Sequence, residues 1–94
     1  MIIRWALAAR RDRAQIFDYI ASYNPSAAIR MDELIAAAIA QLRDFPLLGR
    51  PGAIPGTREI IPHESYRIVY EVDEATVSIL TIVHTARTWP PTRD

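Results

Sequence analysis

Tyr66-Arg67-Ile68-Val69-Tyr70-Glu71-Val72 and Val77-Ser78-Ile79-Leu80-Thr81-Ile82-Val83-His84 flank the short gap Asp73-Glu74-Ala75-Thr76. β-branched and aromatic residues dominate both runs, and the gap supplies turn formers. That pattern writes an antiparallel hairpin. In the first run Tyr66, Ile68, Tyr70 and Val72 point one way, and Arg67, Val69 and Glu71 the other. In the second run both alternating sets are largely apolar, which predicts a central strand covered on both faces. A third run, Thr57 to Ile61, precedes them, and Pro62 with His63-Glu64-Ser65 reads as the turn between.

Upstream, Phe45 to Gly56 is rich in proline and glycine, so it neither continues a helix nor makes a central strand. It reads as a loop that crosses to the sheet, with Phe45, Leu48 and Ile54 expected to pin it to the core. Before it, Asn24-Pro25 separates two helices. Asparagine is a favoured N-cap, and proline at the first helical position gives up an N–H that has no helical partner.

The second helix is expected from Pro25 to about Asp44. Ala28, Met31, Ile35, Ala38 and Leu42 form its apolar stripe, widened by Leu34 and Ile39. The first helix is expected over Ala6 to Tyr23, with Ala9, Ile16, Ile20 and Tyr23 on one face and Phe17 beside them. Asp12, Arg11 and Arg13 read as a solvated face. So short a turn makes the helices an antiparallel hairpin. Ile2 to Trp5 is a short strand able to join the edge of the sheet. The predicted fold is α+β. A short N-terminal strand and a helical hairpin, about 6–23 and 25–44, pack on a curved, mainly antiparallel sheet of about 57–61, 66–72 and 77–84.

The chain has 94 residues, which predicts a single domain spanning 1–94. Half its residues are hydrophobic and 23% are charged, as in globular proteins. Net charge is zero, so a general electrostatic affinity for nucleic acid has no support, and any such binding needs a local patch. Every basic residue is arginine, the side chain suited to bidentate pairing with carboxylate or phosphate. Cysteine is absent, which excludes disulfides and thiolate metal sites. No apolar run reaches the roughly 20 residues of a membrane span. Met-Ile-Ile-Arg-Trp does not read as a signal peptide, and a cytoplasmic location is expected.

No Gly-x-Gly-x-x-Gly, P-loop, Gly-x-Ser-x-Gly or His-Glu-x-x-His motif occurs. The candidates for chemistry are Arg58, Arg67, His84 and Arg87. If their strands are neighbours, these four would converge on one concave face. Arginines there would clamp a phosphate and histidine would move a proton, the minimum for metal-free RNA cleavage by the 2′-hydroxyl. The bland alternative is equally concrete: strand arginines pair with Glu59, Glu64 or Glu71, and His84 is a hydrogen-bonding residue at the sheet end.

Several segments resemble the RelE/ParE superfamily of toxins from bacterial type II toxin–antitoxin modules. They are Ile16-Phe17-Asp18-Tyr19-Ile20, Asn24-Pro25-Ser26-Ala27-Ala28 and Leu42-Arg43-Asp44-Phe45-Pro46-Leu47-Leu48-Gly49-Arg50-Pro51-Gly52. Gly56-Thr57-Arg58-Glu59, Tyr66-Arg67-Ile68-Val69-Tyr70 and Val83-His84-Thr85-Ala86-Arg87 complete the set. The resemblance implies a helical hairpin on a curved sheet. It also implies inhibition by a cognate antitoxin whose C-terminal part folds on binding. No cofactor, no metal, no small-molecule substrate and no membrane partner are expected.

Within the superfamily, Asn-Pro-x-Ala-Ala, Pro-x-x-Gly-Arg and His-x-Ala-Arg-x-x-Pro are most similar to the ParE branch, which is associated with poisoning DNA gyrase by protein–protein binding. The RelE branch cleaves messenger RNA in the ribosome. Under that alternative Arg58, Arg67 and Arg87 would hold phosphate and His84 would carry the proton. Ile60 stands where RelE itself has another basic group, and no tyrosine follows Arg87. A degenerate member that binds only its antitoxin is the remaining possibility.

Overall fold

A computed structural model describes residues 1–91. Its elements run β1 (Ile2–Trp5), α1 (Leu7–Ala21), α2 (Pro25–Gln41), β2 (Arg50–Pro51), β3 (Arg58–His63), β4 (Tyr66–Val72) and β5 (Thr76–His84). The strands form one five-stranded sheet in the order β1-β5-β4-β3-β2. β1 runs parallel to β5 and all other pairings are antiparallel. The expected α+β architecture is therefore present, as are the hairpin of β4 and β5 and the β1 edge.

Asn24 caps α2 as its sequence position requires, its side chain accepting the Ala27 amide at 3.1 Å. α2 ends at Gln41, a turn earlier than the expected Asp44. The amides of Leu42, Arg43 and Asp44 bond back three residues, to Ile39, Ala40 and Gln41, and tighten the chain into turns before Pro46. β3 extends through His63, past the expected end at Ile61. A bulge between Ile60 and His63 lets Pro62 sit within the strand, where its missing N–H breaks no ladder bond.

The core lies between the helices and one face of the sheet. Ala9, Ile20, Ala28, Ile35, Ile39 and Leu42 meet Tyr66, Ile68, Tyr70, Val77, Ile79 and Ile82. β5 departs from the expectation of cover on both faces. Thr81 stands opposite Val69 and Ile79 opposite Tyr70, so Leu80 is an extra residue in the ladder. This bulge switches the alternation, and Val77, Ile79 and Ile82 all reach the helix-covered face despite mixed parity. Part of the long apolar run in β5 is thus the signature of a bulge.

Two polar contacts fasten α1 and correct its reading as a solvated face. Asp12 Oδ2 accepts from Thr81 Oγ1 at 2.6 Å and from the Ile82 amide at 3.0 Å. β1 pairs only as far as Ile79, so beyond it the carboxylate takes the place of a neighbouring strand. Arg13 makes a two-pronged bond to Asp32 of α2, at 2.7 and 2.9 Å, with its guanidinium 5.2 Å from the Trp5 ring centroid. The arginine holds the Asp32 carboxyl below its ordinary pKa chiefly through the hydrogen bond. Tyr23, expected on the buried stripe of the first helix, is 67% exposed.

Candidate functional site

Arg58 and Arg67 lie on opposite faces of the sheet. Arg58 stands opposite Tyr70, whose row packs under the helices, whereas Arg67 stands opposite Val83 on the other face. Each guanidinium is engaged. Arg58 Nη1 donates to the Gly49 carbonyl at 2.7 Å. Arg67 Nη1 donates to Glu59 Oε1 at 3.1 Å, and Glu59 is only 3% exposed. Glu59 Oε2 also accepts the Ala53 amide at 3.0 Å. A carboxylate so deeply buried is tolerable only with such partners. The expected convergence of the four candidates on one concave face does not occur, and the carboxylate-pairing alternative holds for Arg67.

His84 and Arg87 do share a cavity. It encloses about 360 Å³ and is lined by Asp12, Gln15, Ile16 and Tyr19 of α1, Tyr66 and Ile82 of the sheet, and the two candidates. His84 stands opposite Tyr66, with the rings edge to face at 5.3 Å between centroids. His84 Nδ1 accepts the Ala86 amide at 3.0 Å, so the neutral ring carries its proton on Nε2. A second cavity continues past the same Tyr19, Tyr66 and His84 to Tyr23, Met31 and His63.

Tyr19 and Tyr23 are 68% and 67% exposed and meet edge to face at 5.7 Å. Burial raises the Tyr66 pKa first, and negative charge on Tyr23 and Tyr19 would raise it further, so the phenol stays neutral at physiological pH. The result is a groove of aromatic rings between α1 and the end of the sheet. Aromatic rings with polar tips are side chains that protein interfaces favour. Sequence reasoning placed Tyr23 in the core and gave Tyr19 and Tyr66 no part in a site. The one available signal was the four-residue spacing of Tyr19 and Tyr23 on a single helix face.

The segment between α2 and β3 is the second feature outside the expected site. Phe45, Leu48 and Ile54, expected to pin it to the core, are 65%, 54% and 36% exposed. Polar groups pin it instead. The buried Tyr70 hydroxyl donates to the Pro46 carbonyl and accepts the Gly49 amide, both at 2.8 Å. A Cβ on Gly49 would lie 2.7 Å from that hydroxyl and 2.8 Å from the Glu59 carbonyl, so only glycine fits there. Among the described residues no cluster of three or more metal-ligating side chains forms, and no helix is long and apolar enough to cross a membrane.

Residues 3–89 match the family model described as the ParE toxin of the type II toxin–antitoxin system, parDE. The chain is 39% identical over 89 residues to the protein Y4kP of Sinorhizobium fredii, covering 94% of this chain and 92% of that one. It is 36% identical over 83 residues to toxin RelE2 of Caulobacter vibrioides, covering 88% and 93%. A solved structure of the chromosomal ParDE system from P. aeruginosa superposes with a TM-score of 0.79 at 23% identity, covering 89% of this chain and 95% of that one.

Proposed function

Because the chain belongs to the ParE toxin family of type II toxin–antitoxin systems, we propose that it inhibits DNA gyrase in the cytoplasm by protein–protein binding and is neutralised by a cognate antitoxin. One observation carries the choice of a binding inhibitor over a nuclease. Arg58 and Arg67 sit on opposite faces of the sheet with both guanidinium groups engaged by the protein itself. A phosphoryl clamp needs two cations aimed at one point. The exposed rings of Tyr19 and Tyr23, in a groove floored by the buried Tyr66, support the binding task, since aromatic side chains are among those that dominate interface energy.

The second reading is a RelE-like ribosome-dependent endoribonuclease, with Arg58, Arg67 and Arg87 as phosphate ligands and His84 as proton carrier. The shared cavity of His84 and Arg87 favours it, as does the likeness to a protein named RelE2. Two assays run in parallel decide between the readings. Gyrase supercoiling inhibited with messenger RNA intact supports the first. Codon-phased cleavage on the ribosome that disappears in Arg67→Ala supports the second. A chain inactive in both assays that still binds its antitoxin is a degenerate member.

A further inference from the structure

We propose that the aromatic groove between α1 and the sheet end is a docking site for a proline-rich segment of the target protein, bound as a polyproline II helix. This rests on the target-binding reading above and names the kind of segment that enters the groove. Three side chains form one row across the strand ends. His63 of β3 stands opposite Tyr66 of β4, which stands opposite His84 of β5, and all three line one cavity of about 330 Å³. Tyr66 is only 7% exposed, yet among the described residues its hydroxyl has no hydrogen-bond partner. Tyr19 and Tyr23 set their exposed rings on the rim of the same cavity.

The row is a row of donors. His63 Nδ1 accepts the Ser65 amide and His84 Nδ1 accepts the Ala86 amide, each at 3.0 Å. The neutral rings therefore carry their protons on Nε2, and neither Nε2 has a partner among the described residues. The two turns that hold these rings are tied to each other. Thr85 donates its amide to the Ser65 carbonyl at 2.8 Å and its hydroxyl to the Glu64 carbonyl at 2.6 Å. Donors fixed in advance lose little freedom when a ligand arrives.

Spacing and charge select the occupant. His63 and His84 are two strand separations apart, about 9.5 Å. A polyproline II helix repeats every three residues, about 9.3 Å, and its carbonyls have no internal partners. Carbonyls three residues apart therefore match the two imidazoles, while proline rings lie on Tyr19 and Tyr23. An α-helix keeps its carbonyls for its own amides, and a β-strand presents one side every ~6.7 Å. Arg87 and Asp12 bring one charge of each sign to the adjoining cavity, and Asp12 already accepts from Thr81 and Ile82. A neutral segment suits that balance. A nucleic-acid strand, whose binding draws on several cations, does not.

The test uses the full chain, with decaproline as the probe and single-stranded oligothymidylate as the contrasting one. Binding is read from the imidazole NMR signals, gyrase inhibition from supercoiling, and folding from thermal melts. Decaproline is expected to shift the His63 and His84 signals saturably. Tyr19→Ser/Tyr23→Ser is expected to weaken that binding at least about tenfold, and to raise the concentration that inhibits gyrase as much, while unfolding at the wild-type temperature. Tyr66→Phe is expected to weaken peptide binding about three- to tenfold, the worth of one neutral hydrogen bond. Decaproline that moves neither imidazole, or binds either folded variant as tightly as the wild type, overturns the proposal. So does oligothymidylate that shifts both imidazoles where decaproline does not. Gyrase inhibition unchanged in the folded double variant also overturns it and leaves the gyrase reading standing. A wild-type chain that binds decaproline through the groove and does not inhibit gyrase overturns the gyrase reading alone.

Discussion

Arg67 Nη1 lies 3.1 Å from Glu59 Oε1 across neighbouring strands, with the side chains 18% and 3% exposed. Arg50 approaches the same oxygen more loosely, at 4.0 Å. Removing one member of such a pair leaves the other charge buried and uncompensated. Glu59→Gln is expected to lower unfolding free energy by about 3 kcal/mol. A double-mutant cycle with Arg67→Met, followed by denaturant titration, checks it. The double variant recovers part of the loss if the pair is structural. Two additive losses would show no coupling.

Tyr70 makes a sharper prediction because its hydroxyl both donates and accepts. Tyr70→Phe strands the Gly49 amide and the Pro46 carbonyl and is expected to cost about 1–3 kcal/mol. Burial raises the phenol pKa in the folded protein above its ordinary value of 10.0, against smaller opposing effects of the Gly49 amide and Arg58. The folded state therefore favours the neutral phenol. Its contribution is fully present below the unfolded pKa and falls as pH rises beyond it. The stability gap between wild type and variant should narrow above about pH 10 in thermal melts across that range.

Asp12 stands in for a missing strand at the edge of β5. Asp12→Ala leaves the Ile82 amide and the Thr81 hydroxyl without their partner. The expected loss is about 1–2 kcal/mol. Hydrogen exchange gives the site-specific readout: the Ile82 amide should exchange faster in the variant, while Ile68 on β4 keeps its protection.

Asp32→Asn tests the clasp between the helices. Both side chains are about one-third exposed, at 36% for Arg13 and 31% for Asp32, so solvent screening keeps the effect under about 1 kcal/mol at pH 7. The sign with pH is fixed. The folded pKa of Asp32 is depressed, so the pair contributes above the ordinary carboxylate pKa near 3.8 and the contribution disappears as pH falls through the folded value. Wild type and variant should converge in denaturant midpoints once pH falls below the depressed folded value. High salt should narrow their difference at pH 7.

Element order, the Asn24 cap, the β4–β5 hairpin and most of the core are legible in the residues alone. Each is written in local periodicity or local hydrogen bonding, and both are legible along the chain. The sequence also carried the family, through short segments spread over nearly the whole length. Tertiary structure alone decided what the polar groups do. Arg58 and Arg67 belong to different strands, and only the register against Tyr70 and Val83 puts them on opposite faces. The bulge at Leu80 redirects half of β5, and the unbroken apolar run it leaves in the sequence reads equally as a strand covered on both faces. Asp12 reaches Ile82 across seventy positions, and Tyr70 reaches Pro46 across twenty-four. Those partners are chosen by packing, because a buried donor or acceptor bonds to whichever complementary group the fold brings within 3 Å. The same limit explains the expected site. Residue type identified the arginines and the histidine, but convergence is a property of three-dimensional register, and the fold gathered His84 and Arg87 with Tyr19 and Tyr66 instead.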